Sequence, residues 1–209
     1  GSLQSWEEKT VFGYQNTDYF YNYYDDLYYL SSTSETYRNE THNRFQSYYL
    51  QDTWKINAHW LTEAAIYYDV MTNSNVFSKT EWDLAEWNPR GAIVWTPNTT
   101  DTFRLAAFRY MVPFIVGRLD PTDIGGIPLL RNTYNGSLTE EIDFAWEHDF
   151  GKGFCSLNGF YAESTARDKA ADGSENDWPG RLKGFDAAWN QIFLGKFGFR
   201  AYYRYLDVD

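Results

Sequence analysis

The sequence predicts an all-β fold, an antiparallel up-and-down meander of about eight to ten strands. Three observations carry this prediction. Period-two alternation dominates the chain while helical periodicity is weak nearly everywhere. Short and long connections alternate strictly along it. One residue in five is aromatic, with 18 Tyr, 15 Phe and 9 Trp, and Tyr and Trp suit boundaries between apolar and wet zones. A meander with short turns at one end and long loops at the other is the plan of a transmembrane β-barrel. The chain is therefore expected to be such a barrel or part of one, with residues 1–209 a single barrel domain or segment.

The strands expected in order are roughly 10–25, 43–56, 61–71, 83–96, 102–112, 138–150, 154–165, 181–193 and 197–206. The first is the Tyr-rich start, "YFYNYYDDLYYL". In the second, Tyr48, Leu50, Trp54 and Ile56 share a face with one exception, Asp52. In the third, Ala64, Ile66, Tyr68 and Val70 oppose Glu63, Tyr67 and Asp69. The fifth aligns Phe103, Leu105 and Ala107, followed by Arg109 on the same face. The sixth is the clearest, with Ile142, Phe144 and Trp146 opposite Glu141, Asp143, Glu147 and Asp149. The eighth sets Phe185, Ala187 and Trp189 against Asp186 and Asn190. The ninth places Phe197, Phe199, Ala201, Tyr203 and Tyr205 opposite Arg200, Tyr202 and Arg204. Acids along one face would be costly in a dry core and are tolerable where that face meets water.

Short turns are expected at Asn57–Trp60, Asn98–Asp101, Gly151–Gly153 and Leu194–Lys196. Long polar connections are expected near 26–43, 71–85, 112–137 and 165–180. Nine strands is an odd count, whereas bacterial single-chain barrels have even numbers. The expectation is a segment of a larger barrel. The mean hydropathy of −0.60 does not oppose a membrane location, because an alternating strand averages to a hydrophilic score.

Composition excludes several classes. The net charge of −11 and the lack of a basic run argue against nucleic acid. One cysteine, Cys155, excludes an internal disulfide framework and a Cys-based zinc site. His42, His59 and His148 are not at metal-ligand spacing, and His59 is expected to be solvated in its turn. Glu140 and Glu141 are adjacent and point to opposite faces, so they cannot work as an acid–base pair. No nucleophile elbow, phosphate loop or dinucleotide fingerprint occurs. The acidic stretch with Asp172, Glu175 and Asp177 lacks EF-hand spacing and reads as a solvated loop. No catalysis, metal or cofactor is expected.

Candidate lumen and solute-contact residues are Arg104, Arg200, Arg204, Glu141, Asp143, Glu147 and Asp186. They form either a charged lumen that selects solutes or cross-strand ion pairs that hold shape, the second being favoured because a wet pair demands no function. The connection "VPFIVGRLDPTDIGGIPLLRNTYNG" combines prolines and a glycine pair with Phe114, Ile115, Ile124, Ile127, Leu129 and Leu130. Its apolar residues should fold back on something: the barrel mouth, a ligand or, preferentially, neighbouring structure. Arg118, Asp120 and Asp123 are its mouth-loop candidates.

Several segments together resemble TonB-dependent receptor-type outer-membrane barrels. "YYLQDTWKINAHW" resembles the strand that ends in Gln-Asp-x-Trp before a periplasmic turn. "WNPRGAIVWTPNTTDTFRLAAFRYMVP" resembles the Pro-Arg strand, Thr-Pro turn and Arg-Leu-Ala strand. "LTEEIDFAWEHDFGKGFCSLNGFYAES" resembles the next hairpin. The likeness covers roughly 43–165. A similar barrel style occurs at the end of outer-membrane proteins carrying tetratricopeptide repeats. No plug domain, TonB box or terminal aromatic residue is found. The resemblance implies a bacterial outer-membrane location and a non-catalytic transport, pore or receptor role. The implied partners are outer-membrane lipid, a small solute or ligand of unknown identity, and the rest of a larger barrel chain. The alternative from another class is a soluble extracellular β-sandwich or adhesin-like binding module, with its aromatic residues inside.

Overall fold

The computed structural model describes residues 7–28, 34–75, 80–112, 123–128, 137–169, 174–193, 195 and 197–209. They form β1 (Glu7–Tyr28), β2 (Ser34–Lys55), β3 (Trp60–Asn75), β4 (Thr80–Trp95), β5 (Asp101–Met111), β6 (Asp123–Ile124), β7 (Ile127–Pro128), β8 (Ser137–Asp149), β9 (Gly153–Lys169), β10 (Glu175–Phe193) and β11 (Phe197–Val208). Nine of these make one antiparallel sheet in the order β1-β2-β3-β4-β5-β8-β9-β10-β11. β6 and β7 form a separate small hairpin. Among the described residues no ladder joins β1 to β11, so the sheet is open at both edges.

The short turns lie where local chemistry demands them. Asn57 Oδ1 accepts the His59 and Trp60 amides at 2.8 and 3.0 Å. Asn98 Oδ1 does the same for Thr100 and Asp101 at 2.8 and 2.7 Å. These side chains mimic a backbone turn. Gly151, with φ of 80°, turns between β8 and β9 while Asp149 Oδ1 accepts its amide.

At the other end the long polar connections are a correction. The β1–β2 ladder runs up to Tyr28↔Ser34, and β3–β4 up to Asn75↔Thr80. The β9–β10 ladder reaches Lys169↔Glu175. Much of 26–43, 71–85 and 165–180 is therefore paired strand. Polar side chains signal a loop only when the backbone lacks a partner, and ladder bonds are indifferent to side-chain polarity. The connection after β5 is different and holds the β6–β7 hairpin.

The alternation sorts side chains as expected. On the inner face, Phe45, Ser47, Tyr67, Asp69, Asn88, Arg90, Ala106, Phe108, Thr139, Glu141 and Asp143 are buried. On the outer face, Leu50, Ile93, Leu105, Ile142 and Phe144 are exposed. On β2–β5 aromatic residues frame an aliphatic zone, whereas β8 carries Phe144 and β10 carries Phe185 and Trp189 within it. Near the short turns Trp60 stacks on Trp95, and Trp95 on Phe103. Toward the long connections Tyr68 meets Trp87, which is 59% exposed. The nine strands lie in one sheet, so among the described residues no second sheet covers the aromatic face as a sandwich requires.

One seam interrupts the wall. β4 pairs β5 only from Trp95↔Phe103 to Arg90↔Phe108. Pro89 stands next and has no N–H for a ladder, which places proline at strand edges. Above the seam Met111 and Leu138 cluster with Phe45, Met71 and Leu84, so the tops of β5 and β8 lean over the inner face of β2–β4. This explains Arg109, the polar exception of its strand. Its guanidinium donates to the Trp87 carbonyl at 3.3 Å and to Glu86 at 3.2 Å, with Glu140 at 3.5 Å.

Candidate functional site

Register builds a polar cluster on the inner face of β2–β4. Ser47 lies directly opposite Asp69, and Tyr67 opposite Asn88. Ser47 Oγ donates to Asp69 Oδ1, and Asn88 Nδ2 to Asp69 Oδ2, both at 2.5 Å. All three residues are fully buried. The Arg90 guanidinium lies 3.5 Å from the Tyr67 ring centre, and Tyr67 stacks on Tyr49. The Tyr67 hydroxyl reaches Gln51, whose amide meets Glu63. Charge-assisted bonds of this kind are about twice as strong as neutral ones, and they rigidify the wall.

The sequence-identified charges divide into separate groups. Arg104 pairs with Glu147 at 2.6 Å between β5 and β8. Arg204 grips Asp186 with two bonds, 2.6 and 3.0 Å, between β10 and β11, and Tyr202 adds a third at 2.9 Å. Arg200 lies opposite Asn190 and is exposed. Glu141 accepts from the Tyr110 hydroxyl at 3.3 Å, and Asp143 sits opposite Ala106 and Phe160. The hydrated face expected for these two acids is corrected, since they are 4% and 1% exposed. The β6–β7 hairpin packs on Ala106 and Phe108, the β5 neighbours of Asp143 and Glu141. The seven residues do not converge on one site.

Arg118 and Asp120 lie outside the described residues. Asp123 belongs to the β6–β7 hairpin, which lies against the inner wall. Ile124 and Ile127 bury themselves among Ala92, Ala106, Phe108, Tyr110 and Val112. Two such side chains contribute about 3–6 kcal/mol of gross stabilisation. The Gly125 amide donates to Glu63 Oε2 at 3.0 Å.

At the turn-side rim, Asp101 Oδ1 accepts from the Trp146 indole at 3.1 Å and contacts His148 Nδ1 at 2.8 Å. The Asn98 amide donates to its other oxygen at 2.9 Å. Asn98, then His148 and Trp146, hold the Asp101 carboxyl well below its ordinary 3.8. His59 is exposed, as its turn position suggests, but its Nδ1 also sits 2.7 Å from the Thr96 carbonyl and ties two turns together. Among the described residues no group of three His, Cys, Asp or Glu could hold a metal ion.

The β2–β4 cluster escaped sequence reasoning because Ser47, Tyr67 and Asn88 are unremarkable along the chain. Their signal is register: counting outward from the turn at Asn57 brings Ser47 level with Asp69, whereas Asn88 comes beside it only through the β3–β4 ladder. An open depression of about 480 Å³ marks the seam, lined by Pro89, Gly91, Ala107, Phe108, Arg109 and Glu140 among others.

No protein-family model matches this chain, and no curated protein does. The chain is similar in structure to the crystal structure of the siderophore receptor PiuA from Acinetobacter baumannii, with a TM-score of 0.66 and 14% sequence identity. The match covers 97% of this chain and 36% of that receptor. At that identity the likeness establishes the fold alone: this chain shares the antiparallel β architecture of part of that receptor and spans about a third of its length.

Proposed function

We propose that this chain forms part of the wall of a bacterial outer-membrane β-barrel, with a non-catalytic role in passing or receiving a small solute. The observation that carries the reading is the division of the sheet. Its outer face is apolar and exposed, with Leu50, Ile93 and Leu105 between aromatic rows on β2–β5 and aromatic residues throughout on β10–β11, and its inner face has a bonded polar network. From Trp95 to Trp87 is eight residues, about 26 Å along a strand. A tilt of about 40° reduces this to roughly 20 Å, close to the apolar band of about 25 Å that such barrels present.

The open edges at β1 and β11 carry backbone donors and acceptors that lipid cannot satisfy. Further barrel strands are therefore the expected neighbours, with outer-membrane lipid around them. Within this class a receptor-type barrel of the TonB-dependent kind is favoured by the Gln51-Asp52-Thr53-Trp54 strand end and by the structural likeness. A soluble sandwich would hide its aromatic face, which here lies uncovered.

The test is tryptophan fluorescence of the protein refolded into vesicles carrying brominated phospholipid. Strong quenching is expected, and a Trp60→Phe/Trp95→Phe variant should lose part of it. Unquenched fluorescence in those vesicles, from a protein that is monodisperse in plain buffer, overturns the membrane reading.

A further inference from the structure

The β1–β2 ladder outruns the rest of the sheet. β3 ends at Asn75, level with Thr41 of β2. Asn75 and Thr80 pair across a four-residue connection, too short for that hairpin to climb to the level of Ser34. β1 and β2 continue together for seven more register positions, from Asn22↔Glu40 to Tyr28↔Ser34. This two-stranded ribbon is about 23 Å long. It begins seven residues beyond Tyr48, which lies level with the Tyr68–Trp87 contact, so it stands clear of the apolar outer face.

Both edges of the ribbon lack a ladder among the described residues. The β1 edge continues the edge of the whole sheet, where a further barrel strand is expected. The β2 edge from Ser34 to Glu40 cannot be closed that way, because β3 already occupies this side of β2 below it. A two-stranded hairpin is marginally stable at best in water, and a third strand stabilises it. Folded proteins blunt such edges with proline, lysine or bulges. Ser34–Glu40 has no proline or lysine, and its register with β1 is unbroken. Its seven residues are the length of an ordinary strand.

Composition selects the partner. Ribbon positions 22–28 and 34–40 carry Asp25, Asp26, Glu35 and Glu40 against Arg38 alone, a net charge of −3. Tyr23, Tyr24, Tyr28 and Tyr37 are interspersed with them, and tyrosine rings attract cations. We propose that the Ser34–Glu40 edge binds a cationic peptide segment of another protein as an added strand. Main-chain bonds to β2 supply the affinity, and the acids and tyrosines of the ribbon select arginine or lysine. Strand addition here depends on the ladder alone and stands whether or not the outer face meets lipid.

The probe is a ten-residue peptide of alternating Arg and Thr, added to the intact protein in detergent micelles. Affinity is read by fluorescence anisotropy of the labelled peptide, and its place by residue-resolved amide exchange. One control peptide has the same sequence N-methylated at every residue, which keeps the charge and removes the ladder donors. Another replaces Arg by Glu.

Amides of β2 between Ser34 and Glu40 should exchange at least about ten-fold more slowly with the Arg–Thr peptide, and with neither control. Glu35→Gln/Glu40→Gln should weaken binding about three-fold or more. No binding refutes the proposal, as does equal binding of the N-methylated peptide or protection confined to other strands. Equal binding of the acidic peptide, or an unchanged affinity in the Gln variant, refutes the cationic partner. Protection of 34–40 before any peptide is added also overturns it. The edge is then held by a second copy if protection follows protein concentration, and by this chain itself if it does not.

Discussion

Asp69 offers the sharpest test of how the inner wall is held. It is fully buried and accepts from Ser47 and Asn88, each at 2.5 Å. Truncation by Asp69→Ala strands a hydroxyl and an amide in a buried site. Each stranded donor costs about 1–3 kcal/mol, so the variant should lose about 2–6 kcal/mol. The more discriminating quantity is the coupling. In a cycle of Ser47→Ala, Asp69→Ala and the double variant, the second substitution removes a group already deprived of its partner. The double variant should be more stable than the sum predicts by about 1–3 kcal/mol. The assay is the urea midpoint of the intact protein in detergent micelles, followed by fluorescence and by gel mobility without boiling. Additivity within about 0.5 kcal/mol would refute the claim that these groups act as one network.

Two further predictions concern the seam and the rim. Arg109→Ala should remove the bond to the exposed Trp87 carbonyl and lower stability by about 0.5–1.5 kcal/mol; amide exchange in β4 above Arg90 should accelerate, and unchanged exchange there would contradict the seam's dependence on Arg109. At the rim, the folded Asp101 carboxyl lies below its ordinary 3.8, so its stabilising contribution is complete above about pH 4 and fades as pH falls further. The stability gap between the parent and Asp101→Ala should therefore be widest above about pH 4 and narrow in acid, as thermal midpoints across a pH series will show; a gap that widens in acid would reverse the sign.

The alternation of residues such as Ile142, Phe144 and Trp146 with Glu141, Asp143 and Glu147 made the strands and their two faces legible in the sequence. Period two is a local property that needs no knowledge of partners. The turns at Asn57, Asn98 and Gly151 were legible for the same reason, because Asx and glycine chemistry acts within a few residues. Strand ends toward the long connections were not, since a polar strand and a polar loop share a composition and differ only in whether a neighbour supplies hydrogen bonds.

The tertiary structure alone decided which residues meet. Asp69 finds Ser47 and Asn88 through register between three strands. Arg109 lies at the seam because Pro89 ends a ladder that begins at Trp95. Glu141 and Asp143, read as hydrated from their own strand, are buried where the β6–β7 hairpin packs on their β5 neighbours Phe108 and Ala106. The apolar connection after β5 signalled that it must pack somewhere, and the destination depended on Ala92 and Ala106 leaving a floor, and Glu63 an acceptor, on strands elsewhere in the chain. Hydrophobic pattern and turn chemistry act over a few residues and can be read along the chain. Register, seams and docked loops are relations between segments far apart in sequence, and only the folded sheet supplies them.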